Sequence, residues 1–337
     1  MSSPFPEARR AAVERALMAA FGTAELDGAQ PVCGGLSGAG LWRIRVGGIA
    51  YVLKVEAARD ATRDPAHAYG CLRIAAAACL APRVRYADPV DGVVILDFVP
   101  PHSLALDYPG DGKALVTELA RAVRVLHETP AFPSLVDGLA AMNGLIAQHR
   151  AMDILDGAAT AELFARYDEV RAGYRTRPQD LVSSHNDLNP GNVLYDGARL
   201  WLVDWDAAFL ADRYIDLATV ANWFTHDAAG EAVLLATYFG QAPASKQRAR
   251  FDLMRLMNHV FTGAIFLNGA MAERPGRLKD RTLAGPDLAA LHAGLRTGDL
   301  DLMAWENRVA YGKARLAAAL AGLRDPAGAA ALDCLAA

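Results

Sequence analysis

Only four cysteines occur in 337 residues: Cys33, Cys71, Cys79 and Cys334. They are widely spaced, with no CxxC pair and no His/Cys cluster, which excludes the usual zinc frameworks and predicts reduced, mostly buried thiols. Long apolar runs are also missing. Segments such as Ile74 to Pro82 fall far short of the ~20 residues needed to span a bilayer, so no membrane partner is expected. The stretch Met1-Ser2-Ser3-Pro4-Phe5-Pro6-Glu7 lacks a charged region followed by an apolar one, which predicts no signal peptide and a cytoplasmic protein. No long run of like charge appears. Thirty-four Lys and Arg stand against 38 Asp and Glu, a formal charge of −4. A nucleic-acid binder normally shows a basic patch, so that class is excluded.

What is present is enough apolar material for a substantial core, 53% of all residues, in one large domain or two modest ones. There is no internal repeat and no low-complexity linker. Pro6 to Phe21 reads as a helix ended by Gly22. Leu41 to Val46 alternates, with Trp42, Ile44 and Val46 on one face, and Gly47-Gly48 is a two-residue hairpin signal before the return strand Ile49 to Glu56. A helix is expected over Pro65 to Leu80, then strands at Val84 to Ala87 and Val93 to Val99. Beyond Pro101 the pattern turns helical. Lys113 to His127 carries Leu115, Leu119, Val123 and Leu126 at helical spacing, and further helices are expected over Ser134 to Arg150 and Ala158 to Arg175. A β-like segment runs from Leu181 to Asp204. Tyr214 to Leu323 is again mainly helical, with an Ala-rich tail that is expected to fray. A β-rich part followed by a helical part predicts an α+β protein, divided into residues 1–99 and 100–337.

The densest chemistry lies in Ser184-His185-Asn186-Asp187-Leu188-Asn189-Pro190-Gly191-Asn192, followed twelve residues later by Asp204-Trp205-Asp206. Asp196-Gly197 marks a hairpin between them. A two-residue loop would put Asn192 opposite Trp201. A four-residue loop, Asp196 to Arg199, would pair Tyr195 with Leu200 and set Asn192 against Val203, next to Asp204. Only the wider loop readily brings both side chains to one metal, so it is predicted. Side chains alternate along a strand, which makes this an argument from plausibility. Phosphoryl transfer is catalysed mainly by positioning and charge neutralisation. On that chemistry Asp187 would orient an acceptor hydroxyl and take its proton, while Asn192 and Asp204 would hold Mg2+, which prefers hard oxygen ligands. Any one of these residues alone would read as an ordinary turn former. His185 is expected to buttress the loop.

Gly34-Gly35-Leu36-Ser37-Gly38-Ala39-Gly40 leads into the first hairpin. Backbone N–H groups in such a loop can approach phosphate oxygens, with Gly34, Gly35, Ser37 and Gly38 as candidates. The Gly47-Gly48 turn pairs Val46 with Ile49, so Lys54 falls opposite Leu41, beside the end of that loop. A lysine in an apolar strand needs a partner, and ATP phosphates would supply one.

These motifs resemble the aminoglycoside phosphotransferase and choline kinase superfamily, with a protein-kinase-like fold. The resemblance covers about residues 30 to 225 and is most specific over 184–206. It implies a two-lobed enzyme with an antiparallel-sheet N-terminal lobe for ATP and a helical lobe for the acceptor. It also implies a hinge at Ile95-Leu96-Asp97-Phe98-Val99, so Asp97, Phe98 and Val99 join the nucleotide-site candidates. Asp216 corresponds to an acid that pins the catalytic loop, though a carboxylate in a first helical turn would serve equally well as a dipole partner. Asp206 could lie just behind the metal ligands.

Two departures stand out. The segment Ala66 to Arg73 has no Glu to pair with the phosphate lysine, leaving Asp60 or Asp64 as substitutes. Asp204-Trp205-Asp206 has no third-position Gly, and little chain separates it from the next helix, so no activation loop fits and a small-molecule acceptor is expected. His-Asn-Asp-Leu tilts the resemblance toward choline and ethanolamine kinases, since aminoglycoside kinases often have Gly where Asn186 stands. Trp223, Phe224, Tyr238, Phe239, Trp305 and Tyr311 could hold a quaternary ammonium, helped by Asp227, Glu231 or Asp301. The alternatives are an aminoglycoside or sugar kinase, and a catalytically silent nucleotide-binding protein.

Overall fold

The computed structural model describes residues 4–32, 40–56, 64–104 and 107–337. In chain order the described elements begin with a 3-10 turn at Glu7–Arg9, α1 (Arg10–Phe21), β1 (Gly28–Pro31), β2 (Gly40–Val46), β3 (Ile49–Val55), α2 (Pro65–Ala77), β4 (Val84–Asp88) and β5 (Val93–Asp97). There follow α3 (Gly112–His127), α4 (Gly138–Ala151), α5 (Gly157–Gly173), β6 (Leu181–Ser184), β7 (Val193–Tyr195), β8 (Leu200–Leu202) and β9 (Phe209–Asp212). The helices α6 (Arg213–Phe224), α7 (Ala228–Phe239), α8 (Ser245–Glu273), α9 (Leu288–Thr297), α10 (Trp305–Arg324) and α11 (Pro326–Ala336) complete the chain. The protein is α+β, as its hydropathy pattern predicts.

The compact units are not the consecutive stretches 1–99 and 100–337. One comprises residues 1–108, 125–135 and 190–210, and the other comprises 109–124, 136–189 and 211–337. The expected cut near Pro100 misses the return of 190–210 because that hairpin is remote in sequence from the rest of its unit.

The first unit is built on an antiparallel sheet in the order β1-β2-β3-β5-β4. Gly47 and Gly48 both take positive φ, 58° and 77°, which a tight hairpin turn demands. The expected register follows, with Val46 opposite Ile49 and Leu41 opposite Lys54. Trp42, Ile44, Tyr51, Leu53, Val55, Val93 and Ile95 form the buried face, covered by Val13, Ala16 and Leu17 of α1. Gly22 ends α1 in the left-handed conformation (φ 72°), its N–H bonded to the Met18 carbonyl, a common helix stop. Asp64 caps α2, its Oδ1 accepting from Ala66 N at 2.9 Å, with Pro65 in the first turn.

The second unit is helical. The 29-residue α8 packs against α4, α6, α10 and α11. Helix α6 is buried from Tyr214 to Asn222, as expected of a helix apolar on every side. At the crossing of α8 and α10, Gly263 and Gly312 meet. A Cβ on Gly263 would stand 2.9 Å from the Gly312 carbonyl oxygen and 2.7 Å from Leu316. A buried ionic knot ties the start of α6 to α8. Arg250 bonds Asp180 at 3.1 Å and Asp212 at 3.0 Å, and Asp212 also accepts from the Tyr174 hydroxyl at 3.1 Å and from Tyr214 N. Burial pushes the Asp212 carboxyl upward despite these partners. The Ala-rich tail does not fray: it forms α11, capped by Asp325 and packed on α8. Helix α4 begins at Gly138, four residues after the expected Ser134, because Asp137 supplies its cap. Among the described residues, Cys71, Cys79 and Cys334 are free thiols, and no helix is long and apolar enough to cross a membrane.

Candidate active site

The motif segment passes from the second unit to the first between Asn189 and Pro190. Each half is built by its own surroundings.

In the first unit the hairpin takes the wide loop. Val193 faces Leu202, Leu194 faces Trp201 and Tyr195 faces Leu200. Asp196 N donates to Arg199 O, closing the four-residue turn. The Asp196 side chain holds that turn from within. Its Oδ1 accepts from Ala198 N (2.8 Å) and Arg199 N (2.9 Å), and its Oδ2 accepts from the Trp201 indole at 2.7 Å. Desolvation works against the ionised form, but the indole and the two amides prevail and keep the carboxyl below its usual range. One step beyond the ladder, Val203 N donates to Asn192 O at 3.0 Å. Asn192 is therefore set against Val203, the residue before Asp204, which is the register expected of the wide loop. Asp204 takes φ 62°, an unusual conformation for a residue with a Cβ. It opens a 3-10 turn, Trp205–Ala207. Trp205 is buried, with its ring edge-on to Phe132, and helix α2 grips the end of the turn, with His67 Nε2 2.9 Å from the Ala208 carbonyl.

Lys54 reaches this turn. Its ammonium lies 2.6 and 2.7 Å from the two oxygens of Asp206, 3.4 Å from Glu56 and 3.7 Å from Asp204. Burial opposes the lysine's charge, but the three acids outweigh it and hold the group above its ordinary range. The missing helix acid is thus replaced from elsewhere. Asp64 is committed to capping α2, and Asp60 lies outside the described residues. The partners are Asp206 and Glu56, and neither was identified from the sequence as a partner of Lys54. One signal existed for Glu56: residues two apart in a strand share a face, and Lys54-Val55-Glu56 has that spacing. Gly34, Gly35, Ser37 and Gly38 lie outside the described residues. At the expected hinge, Asp97 accepts a forked pair from Arg85 (2.6 and 3.2 Å), Arg43 lies over the Phe98 ring at 4.4 Å, and Val99 is buried.

In the second unit, Asp187 sits exposed on its loop, its Oδ1 accepting from Asn189 Nδ2 at 3.0 Å. The next residue, Leu188, is fully buried and anchors the loop. His185 is also fully buried, as a buttress should be. Asp216, with no exposed surface, accepts from His185 N at 2.9 Å and from Asn186 N at 2.7 Å. Of the two roles considered for Asp216, loop pinning is the one its geometry performs. Asn186 itself has φ 64°. That region favours Gly and, after it, Asn, so Asn in place of Gly here meets a backbone requirement and carries no information about substrate.

Five of the six candidate ammonium-binding aromatics are already engaged. Trp223 stacks on His292 and Tyr311 (5.2 and 5.3 Å), and the fully buried Arg315 guanidinium lies over both Trp223 (4.7 Å) and Tyr311 (5.1 Å). The cation on these rings is the protein's own. Trp305 donates to the Ala270 carbonyl and carries Arg274 on its face. The Tyr238 hydroxyl accepts from Arg213, and Phe239 packs edge-on to Tyr238. Asp227 caps α7, Glu231 pairs with Arg248 and Arg255, and Asp301 accepts from Met303 N.

Among the described residues no group of three or more His, Cys, Asp or Glu is arranged to hold a metal. The donor set still fits Mg2+, which is commonly bound by one or two protein ligands and completed by water and phosphate oxygens. Asn192 and Asp204 would supply two hard oxygens to such an ion. Around Lys54, three carboxylates against one ammonium leave a local charge of −2 when all are ionised.

Comparison with known proteins follows the same lines. The profile of the phosphotransferase enzyme family matches residues 28–251. An aminoglycoside 3'-phosphotransferase of Streptomyces fradiae is 28% identical over 193 residues, 52% of this chain and 67% of that protein. A choline/ethanolamine kinase family protein of Mesorhizobium loti superposes with a TM-score of 0.69 at 20% identity, covering 97% of this chain and 99% of that one. A spectinomycin phosphotransferase solved with ADP and spectinomycin gives 0.54 at 14% identity, over 90% and 100% of the two chains. At these identities the structural likeness is one of fold.

Proposed function

The chain belongs to the phosphotransferase enzyme family, and we propose that it transfers the γ-phosphate of ATP, with Mg2+, to a hydroxyl of a small alcohol that carries a cationic nitrogen. The observation that carries this reading is the hairpin register that sets Asn192 against Val203, the neighbour of Asp204, in the same compact unit as Lys54. In the proposed reaction the acceptor oxygen bonds to the γ-phosphorus, the bond to the β-bridging oxygen breaks, and ADP leaves. Asp187 takes the hydroxyl proton. Lys54 holds phosphate oxygens, and residues 95–99 bind adenine. Asn192 and Asp204 would hold Mg2+, which when bound neutralises charge on the phosphates.

Choline, ethanolamine and the aminoglycosides, the acceptors named by the related proteins, all carry a cationic nitrogen, quaternary in choline, which is the support for an acceptor of that kind. Neither Asn186 nor the aromatic residues favours choline over an aminoglycoside. The test is ADP release and phosphate transfer over a panel of choline, ethanolamine, aminoglycosides, spectinomycin and sugars, with Asp187→Asn as control. Acceptor-dependent turnover should fall about 10²- to 10⁴-fold in the variant. Binding of ATP-Mg with no phosphate gained by any acceptor would replace this reading with a silent nucleotide-binding protein.

A further inference from the structure

Helix α2 carries no acid facing Lys54, yet the lysine is not left to a single partner. Its two close carboxylates differ in how they are held. Glu56 is built in. Its backbone N donates to the Gly92 carbonyl at 2.8 Å, and its Cβ and Cγ lie against Gly92 (φ 59°), where a Cβ would come within 3.3 and 3.6 Å of them. Its Oε1 accepts from the hydroxyl of Tyr69, on α2, at 3.3 Å, and its side chain is only 12% exposed. Asp206 stands on a one-turn 3-10 segment with its side chain 37% exposed.

An ammonium has three N–H donors, and in this structure Lys54 donates to both oxygens of Asp206 and makes a longer ion pair with Glu56 at 3.4 Å. A phosphate arriving at Lys54 must displace one of these acids. Releasing Asp206 returns a part-exposed carboxylate to water, and pairs of that kind are weak. Releasing Glu56 would strand a buried carboxylate with only a phenol hydroxyl, the costly outcome.

Resting on the phosphotransfer reading above, we propose that Glu56, braced by Tyr69, is the positioning residue of Lys54 in place of a helix acid, and that Asp206 occupies Lys54 only until phosphate displaces it. The two carboxylates then act on nucleotide binding with opposite signs. Glu56 aims the ammonium, and Asp206 competes for it.

The experiment titrates ADP in EDTA by calorimetry, which isolates the lysine–phosphate contact from any metal. Glu56→Gln is expected to weaken ADP binding about tenfold, a loss of ~1.4 kcal/mol. Tyr69→Phe should weaken it two- to threefold, and Glu56→Asp should recover part of the Glu56→Gln loss. Asp206→Asn should tighten binding two- to fivefold. Melting curves identify any variant that does not fold, and if Glu56→Gln is one, Tyr69→Phe and Asp206→Asn carry the comparison. ADP binding unchanged in Glu56→Gln and Tyr69→Phe, or weakened by Asp206→Asn, overturns this inference and leaves the phosphotransfer reading intact. A wild-type protein that binds no ADP, with or without Mg2+, overturns both.

Discussion

Replacing Asp216 by Asn changes one atom and should loosen the loop that carries Asp187. The wild-type carboxylate has no exposed surface and accepts from two consecutive amides, His185 N at 2.9 Å and Asn186 N at 2.7 Å. Asparagine keeps one acceptor and turns an NH2 group toward the other amide. One bond to a charged acceptor, about 1.5–3 kcal/mol, is lost, and a buried N–H is left without its acceptor at about 1–3 kcal/mol. The loop relaxes in part, so a net cost on the order of 3 kcal/mol is expected. Since ~1.4 kcal/mol is a factor of ten, the amides of residues 185 and 186 should exchange with deuterium roughly a hundredfold faster. Urea denaturation should also show the loss. The same chemical change at Asp227→Asn, an exposed cap on α7, is the control and should be nearly neutral, because Asn and Asp cap helices equally well. If Asp216→Asn matches that control in stability and leaves exchange over residues 183–189 unaltered, the pinning argument is wrong.

Acid should weaken the protein through two buried histidines. Next to Arg315 and in desolvated surroundings, His259 titrates well below the ordinary histidine range, and burial with the same arginine drives His292 down to about 3. The bonding agrees: Arg315 donates to His259 Nδ1 and to the Tyr311 oxygen, whose proton is then directed at His292 Nε2. Folded-state values lie below unfolded ones, so this stability is present above pH ~6.5 and is lost as pH falls toward 3. At pH 5 each histidine should cost about 2 kcal/mol relative to pH 7.5, and urea melts of His292→Phe should show about half the wild-type loss. In α8, Gly263→Ala should destabilise by about 1–3 kcal/mol through overpacking against Gly312 and Leu316. Gly269→Ala on the same helix, where a Cβ meets nothing within 4 Å, should stabilise by about 0.4–1 kcal/mol. Thermal melts of the pair check the difference.

Both hairpins were legible because local chemistry specifies them. Gly47-Gly48 fixes one register, and the expectation of one metal shared by Asn192 and Asp204 points to the wide loop of the other. The fold class followed from hydropathy alone. The partners of Lys54 were missed for two reasons. Analogy points to α2, and the direction in which Asp206 points depends on a 3-10 turn after a left-handed Asp204, which no periodicity encodes. The aromatic residues misled in a similar way. Their spacing marks them as helical, but the guanidinium that occupies Trp223 and Tyr311 comes from α10, roughly 90 residues beyond Trp223. The compact units escaped a linear reading because residues 190–210 belong with the sheet.

That interleaving bears on how the chain acquires its structure during synthesis. After Tyr108 emerges, roughly 80 residues must pass before Pro190 supplies the remaining strands of the first unit, a delay of about 4–16 s at 5–20 residues per second. The five-stranded sheet waits through that interval without the separate β7–β8 hairpin of its unit. The helical unit waits longer, since its hub α8 is complete only at Glu273 and two of its partners, α10 and α11, follow. A ribosome stalled just before Pro190 would therefore display a first unit lacking both metal-ligand candidates, and limited proteolysis of such stalled chains would find its sheet more vulnerable than the same residues in the finished protein.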